Sequence, residues 1–288
     1  MRPIRPSLAI AFSLVAAATA TAACSDDEGP QSPAPPRGIV VLNGFGDPGI
    51  TLLADTGTAS THVSFDPFDG STFSLENDTV LATASKSAGN LLYVADARTG
   101  DATSIQLPVN SNPANARFIE QPGVGRVVAV ALRDSNAVAL VKVSGAGAGG
   151  YTQLKDAGVC PTDAFRDAST IFVVASNQRC VSDYHTFGQA YVVYVPDATP
   201  LARETIQLAS SARGAGSVVV LRDTAYIFTV GTLTFNGDAA APPAVSRVDL
   251  RRRQLIGTLA LTGAFFGNVM RLGADGVLYV SAYTSSSF

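Results

Sequence analysis

NPANARFIEQPGVGRVVAVALRDSNAVALVKV, residues 112–143, is the stretch on which the reading of the fold turns. It holds a short strand-like segment, a Pro-Gly turn, an apolar run rich in Val and Ala, a polar turn, and a second apolar run. Runs of this length bounded by Gly, Pro, Asn and Asp read as strands joined by tight turns. The same grammar recurs along the chain. An extended apolar segment led by a turn residue begins at Gly38, Asp78, Gly125, Ser169, Asp223 and Gly276, as GIVVLN, DTVLATA, GRVVAVA, STIFVVA, DTAYIFTV and GVLYVSA. The spacings of 40, 47, 44, 54 and 53 residues point to one unit repeated with loops of varying length.

Each of the first five segments is followed by a second strand, ITLLAD, LLYVAD, AVALVKV, YVVYVPD or VSRVD. Four of these end on Asp55, Asp96, Asp197 and Asp249, where a carboxylate can cap the turn of a hairpin. Third strands, THVSF, TSIQL, YTQL, TIQL and IGTLAL, alternate with the period of a half-exposed outer strand. In later units a short strand also precedes the first: ANARF from Ala114, TDAFR from Thr162, GSVVVL from Gly216 and NVMRL from Asn268. Four strands in 40 to 54 residues is the period of a propeller blade. The prediction is therefore an all-β chain, a β-propeller of four-stranded blades with six blades started and six or seven in the complete ring. A β-sandwich pair or tandem immunoglobulin-like domains also use short strands and frequent turns, but six copies of one strand grammar weigh against them. Residues 112–143 and LGADGVLYVSAY, 272–283, resemble the YVTN-repeat family of surface and periplasmic propellers. The resemblance covers nearly everything after residue 37, and it implies fold far more than activity.

The chain starts differently. Arg2 and Arg5 precede the apolar run LAIAFSLVAAATATAA, too short and Ala-rich for a comfortable membrane span, in the layout of a secretory signal peptide. Its end, Thr21, Ala22, Ala23 and Cys24, resembles a bacterial lipobox, although Thr21 stands where that motif usually has Leu. The resemblance implies acylation of Cys24 and a body lipid-anchored in the cell envelope, and Ser25 resembles the sorting residue of outer-membrane lipoproteins. Residues 25–37, SDDEGPQSPAPPR, read as an extended polar tether. The expected organisation is a signal peptide over 1–23, a tether over 24–37 and the propeller over 38–288.

Across 288 residues the chain is 47% hydrophobic and 15% charged, with a formal net charge of -3, which suits a globular core and gives no basis for a nucleic-acid partner. Gly, Ala, Ser, Thr and Val dominate while Lys is scarce, and no helical period follows residue 23.

Few residues carry chemistry. Cys160 and Cys180 are the only cysteines besides Cys24. They fall at the same end of one expected hairpin, so in an oxidising compartment a disulfide is the expectation, ahead of a redox or metal pair. His62 and His185 are the only histidines and lie in no catalytic or metal-binding motif. Asp66, Asp69, Glu76 and Asp78, in FDPFDGSTFSLEND, lack the ligand alternation of a calcium loop and read as a solvated turn. Arg251, Arg252 and Arg253 fall in an outer turn, where they keep that edge soluble. Aligning the inner strands brings Asn115, Asp163, Ser217 and Asn268 to one position, which in a propeller lines the central channel.

No Ser/His/Asp order, Gly-rich phosphate loop or paired-carboxylate setting is recognisable, and no cofactor or metal is expected. The reading is a non-enzymatic envelope module binding a protein, glycan or small ligand. The alternative is a lactonase-like or quinoprotein-like enzyme acting in the channel, weakened by two histidines and no Trp. The sixth unit stops after GVLYVSAY without its outer strands, so the expectation is an incomplete ring, or one completed by the N-terminal segment or a partner.

Overall fold

The structure is a computed structural model. It describes residues 38–43, 49–54, 60–64, 72–76, 78–84, 90–99, 101–178, 188–197, 199, 201, 203–233, 239–264, 266–273 and 275–283. Cys24, Asp55, Asp66, Asp69, Cys180 and His185 lie outside the described residues.

Among those residues every regular element is a strand. β1 (Gly38–Asn43), β2 (Gly49–Ala54) and β3 (Ser60–Ser64) form a three-stranded antiparallel meander. Four complete sheets follow, each of four antiparallel strands in sequence order: β4 (Phe73–Glu76) to β7 (Ala102–Gln106) through β5 (Thr79–Ala84) and β6 (Leu91–Asp96); then β8 (Pro113–Gln121), β9 (Gly125–Leu132), β10 (Ala137–Val141) and β11 (Tyr151–Leu154). The next holds β12 (Pro161–Asp167), β13 (Thr170–Ala175), β14 (Tyr191–Pro196) and β15 (Glu204–Gln207). The last complete sheet is β16 (Ala215–Leu221), β17 (Thr224–Thr229), β20 (Ala244–Asp249) and β21 (Gln254–Ala260), with the hairpin β18 (Thr232–Leu233) and β19 (Ala239–Ala241) inserted after β17. β22 (Phe266–Leu272) and β23 (Leu278–Tyr283) pair as a two-stranded sheet.

Three apolar layers hold neighbouring sheets face to face. Leu81, Leu92 and Ile105 of the second sheet meet Val128, Val130 and Leu132 of the third. Val127, Ala129 and Val138 on the opposite face of the third meet Ile171, Val173 and Val193 of the fourth. Phe172, Val174 and Val192 meet Ile227 and Val248 of the fifth, with the Phe165 and Phe172 rings stacked at 5.4 Å. Odd and even residues of β9 and β13 thus serve opposite interfaces. That explains why these strands are continuous apolar runs rather than alternating ones. Sheets stacked face to face in chain order, each contributing an inner strand to a shared centre, make the fold a β-propeller.

The turns use the residues placed at them. Asp96 Oδ1 accepts from the backbone N–H of Arg98 at 2.7 Å and of Thr99 at 3.3 Å. Asp249 Oδ1 accepts from the Arg252 N–H at 2.8 Å. Asp197 instead takes the Arg166 guanidinium, which crosses from β12 to reach it. The arginine run at 251–253 also does more than solubilise an edge: Arg251 pairs with Asp223 at 3.1 Å, and the Arg253 guanidinium lies over the Tyr194 ring of the preceding sheet at 4.7 Å.

One expectation needs correction. The segment read as a solvated acidic turn ends in β4, which pairs with β5 from Phe73↔Ala82 to Glu76↔Thr79. Glu76 bonds to Arg126 at 2.9 Å across the next sheet, and Asp78 occupies the turn with φ of +61°.

Candidate ligand site at the channel mouth

An inner strand has to satisfy its backbone ladder and still offer side chains to the centre. Each of β8, β12, β16 and β22 does so with a register irregularity near its start: between Pro113 and Ala116, Pro161 and Asp163, Ala215 and Val218, and Gly267 and Val269. A bulge breaks the strict alternation of faces and re-aims the residues within it. Asn115, Ser217 and Asn268 fall inside these irregularities and Asp163 at the edge of its own. The residues aligned from sequence therefore share a structural cause.

Asn115, Asp163 and Ser217 line a single cavity of about 300 Å³, together with Ser74 of β4 and Met270 and Arg271 of β22. Five inner strands thus surround one space. The β22 backbone passes Asn268, whose side chain lies outside the described set.

Polar contacts tie the strands across the centre. Arg117, two residues beyond Asn115 on β8, donates from Nε to Asp163 Oδ1 at 3.0 Å and from Nη2 to Asp163 Oδ2 at 2.6 Å. The same Nη2 donates to the Val218 carbonyl of β16 at 3.0 Å. Asn115 Nδ2 donates to the Gly216 carbonyl at 3.4 Å, and Ser217 Oγ accepts from the Met270 N–H at 2.9 Å. Arg117 forms a bar, with a second space of about 330 Å³ on its other side, bordered by Glu120, Phe165 and Arg166.

Asp163 is 1% exposed. Burial holds its carboxyl above the ordinary aspartate range, against the pull of Arg117 and Arg271. Arg271, exposed at the mouth, lies within electrostatic reach of both Asp163 and Arg117. Desolvation lowers its pKa first; Asp163 counters, and the like charge of Arg117 adds to the lowering.

The sequence reading missed Arg117 and Arg271. A signal was present, since ANARF, TDAFR and NVMRL each carry an arginine, Arg117, Arg166 and Arg271, a few residues into the inner strand. Of the other expected site residues, Cys160 is buried beside the start of β12, its carbonyl accepting from the Ser176 N–H at 3.1 Å. His62 sits opposite Thr51 on β3. Among the described residues, no three His, Cys, Asp or Glu side chains converge as a metal cluster would.

No protein-family model matches the chain, and no curated protein matches it. Among solved structures it is similar to the hydrazine synthase of Kuenenia stuttgartiensis, at 16% identity over 69% of this chain and 50% of that one, with a TM-score of 0.49. It is also similar to TolB from Acinetobacter baumannii, at 16% identity over 78% of this chain and 52% of that one, TM-score 0.47. A third is a luciferin-regenerating enzyme, at 9% identity over 74% and 68%, TM-score 0.49. The matched region spans about half the length of the first of these proteins.

Proposed function

We propose that this protein is a YVTN-like propeller lipoprotein of the bacterial cell envelope that works as a non-enzymatic binding module, with its ligand site at the channel mouth. The observation that carries the reading is the set of bulged inner strands that turn Asn115, Asp163 and Ser217 into one polar cavity. Those side chains donate and accept hydrogen bonds but supply no nucleophile paired with a base, which fits recognition better than turnover. A screen of chemically diverse small molecules by thermal shift tests it. Compounds that stabilise the wild type should lose their effect in Ser217→Val and Asn115→Leu. Equal shifts in all three proteins would reject the cavity as the site.

In this reading Cys24 carries the acyl anchor, the tether holds the body off the membrane, and Cys160 pairs with Cys180. The lipobox resemblance supports the first, and the burial of Cys160 at the base of the β12–β13 hairpin supports the last. Intact mass of membrane-extracted protein should show a chain starting at Cys24 with a diacylglycerol-sized increment. Thiol counting on the unfolded, unreduced body should find neither Cys160 nor Cys180 free.

A further inference from the structure

We infer that the open edge of β23 and the apolar groove beside it dock an extended segment of a partner protein, which adds a strand to the last sheet. The groove shares no lining residue with the channel-mouth cavity, so binding at the two places can be tested apart.

The other sheets define what belongs at this edge. In each complete sheet the second strand is flanked on both sides: β5 by β4 and β6, β9 by β8 and β10, β13 by β12 and β14, β17 by β16 and β20. β23 holds the same place in the last sheet and, among the described residues, pairs only with β22. Elsewhere the further flanking strand fills the layer against the preceding sheet. Ala139 and Val141 of β10 enter the layer shared with the second sheet, Val193 and Val195 of β14 that with the third, and Val248 of β20 that with the fourth. The corresponding place between the fifth sheet and the last is an open groove of about 580 Å³, bordered by Val245 and Leu259 on one side and Leu278 and Val280 on the other. Leu259 is 67% exposed there, while Val248 on the opposite face of the same sheet is buried. Apolar surface left open in continuity with three closed layers marks an interaction face.

The backbone of β23 sets the form of the occupant. The Met270 N–H turns away from β23 and donates to Ser217 Oγ at 2.9 Å. Opposed residues of an antiparallel pair turn their N–H and C=O groups either both inward or both outward. Met270 lies opposite Val280, so Val280 presents its N–H and C=O to the open edge, and the alternation of the strand does the same for Leu278. Open donors and acceptors above an apolar groove match an extended backbone with apolar side chains at alternate positions, which neither a helix nor a hydrocarbon chain supplies. Arg247 is exposed on the groove and, among the described residues, has no acid paired with it. A carboxylate on the incoming strand would meet that charge. A second copy of this chain does not fit: pairing β23 with its own copy puts both Val280 side chains on one face, where two fifth sheets would have to occupy the same space.

The test uses membrane-extracted protein and a labelled peptide, NLLYVADARTGDATSIQL, which copies residues 90–107 and so carries the flanking and outer strands of the second sheet with Asp96 and Asp101. A displayed library of random ten-residue peptides is selected in parallel. The hairpin peptide or selected sequences with alternating apolar residues and an acid should bind saturably by fluorescence anisotropy. Val280→Pro removes an N–H that the β22–β23 ladder does not use, and should weaken binding roughly tenfold or more. Leu259→Asp should do the same from the groove side, and because it alters an exposed residue it controls for misfolding in Val280→Pro. If neither source yields a binder, the docking site is rejected. Binding lost in Leu259→Asp but kept in Val280→Pro would make the groove a pocket for apolar groups and overturn strand addition. Concentration-dependent dimers abolished by Val280→Pro would overturn the partner in favour of a second copy.

Discussion

Ala168 links β12 to β13 with φ of +46°. In that region a Cβ crowds the following carbonyl at about 1–2 kcal/mol, and Gly escapes the penalty. Ala168 is exposed and its side chain has no packing to lose. Ala168→Gly should therefore stabilise the protein by about 0.5–1 kcal/mol after the extra unfolded-state freedom of Gly is deducted, read as a higher midpoint in urea. Asp163 makes a different kind of prediction. Its folded pKa is raised, by burial first, against Arg117 and Arg271. Above the ordinary value of 3.8 the folded state then holds a proton that the unfolded state has released. Stability contributed by this group is greatest below that value and falls as pH rises towards the folded pKa. Subtracting the stability of Asp163→Asn from that of the wild type, pH by pH, should leave a difference that declines from about pH 4 upward. A difference that rises over that range would reverse the assignment of burial as the stronger cause.

At the scale of elements, Gly267 decides whether β22 can lie against β17. A Cβ there would sit 2.3 Å from Phe228 Cζ and 3.1 Å from Val230 Cα, and Phe228 is fully buried. The ring cannot yield without disturbing the interface, so Gly267→Ala should cost about 1–3 kcal/mol, while Gly257→Ala, which has an ordinary backbone conformation and nothing nearer than 3.9 Å, isolates the intrinsic effect of a glycine replacement in a strand. Equal losses in the two variants would show that close approach is not the cause. The strands themselves were legible because Val-rich runs between turn residues have few alternative fates. β4 was not, since its four residues end an acidic stretch whose local composition favours a turn and whose strand state depends on pairing with β5. The β18–β19 hairpin was hidden for a related reason: it lies in the stretch that lengthens the fifth repeat and belongs to no repeated pattern. Asn115, Asp163 and Ser217 could be aligned because the bulge that exposes them recurs at one place in the unit. Arg117 could not, because its role depends on reaching Asp163 on the next sheet and Val218 on the one beyond, contacts that no local pattern encodes.

For the molecule as a whole, the apolar layers imply an order of opening. The third and fourth sheets are each gripped on both faces, since β9 and β13 contribute residues to two different layers. None of the described side chains of the two-stranded sheet of β22 and β23 belongs to those three layers. Tyr279 and Tyr283 are exposed, and Leu278 and Val280 border an open groove of about 580 Å³ with Leu259 and Leu261. Local opening is cheapest where few apolar contacts are lost, so backbone amide exchange should be slowest along β9, β10, β13 and β14 and faster by orders of magnitude along β23. The channel-mouth site spans that gradient, with Asn115 and Asp163 on the well-held sheets and Arg271 on the loose one. A ligand bridging them would link the loose sheet to the rigid ones, and binding should slow exchange in β22 more than in β9. Exchange followed with and without a saturating compound found by the thermal-shift screen reads both effects together. Protection in β22–β23 already equal to that of β9 and β13 in the free protein would mean that the last sheet is held by contacts outside the three layers.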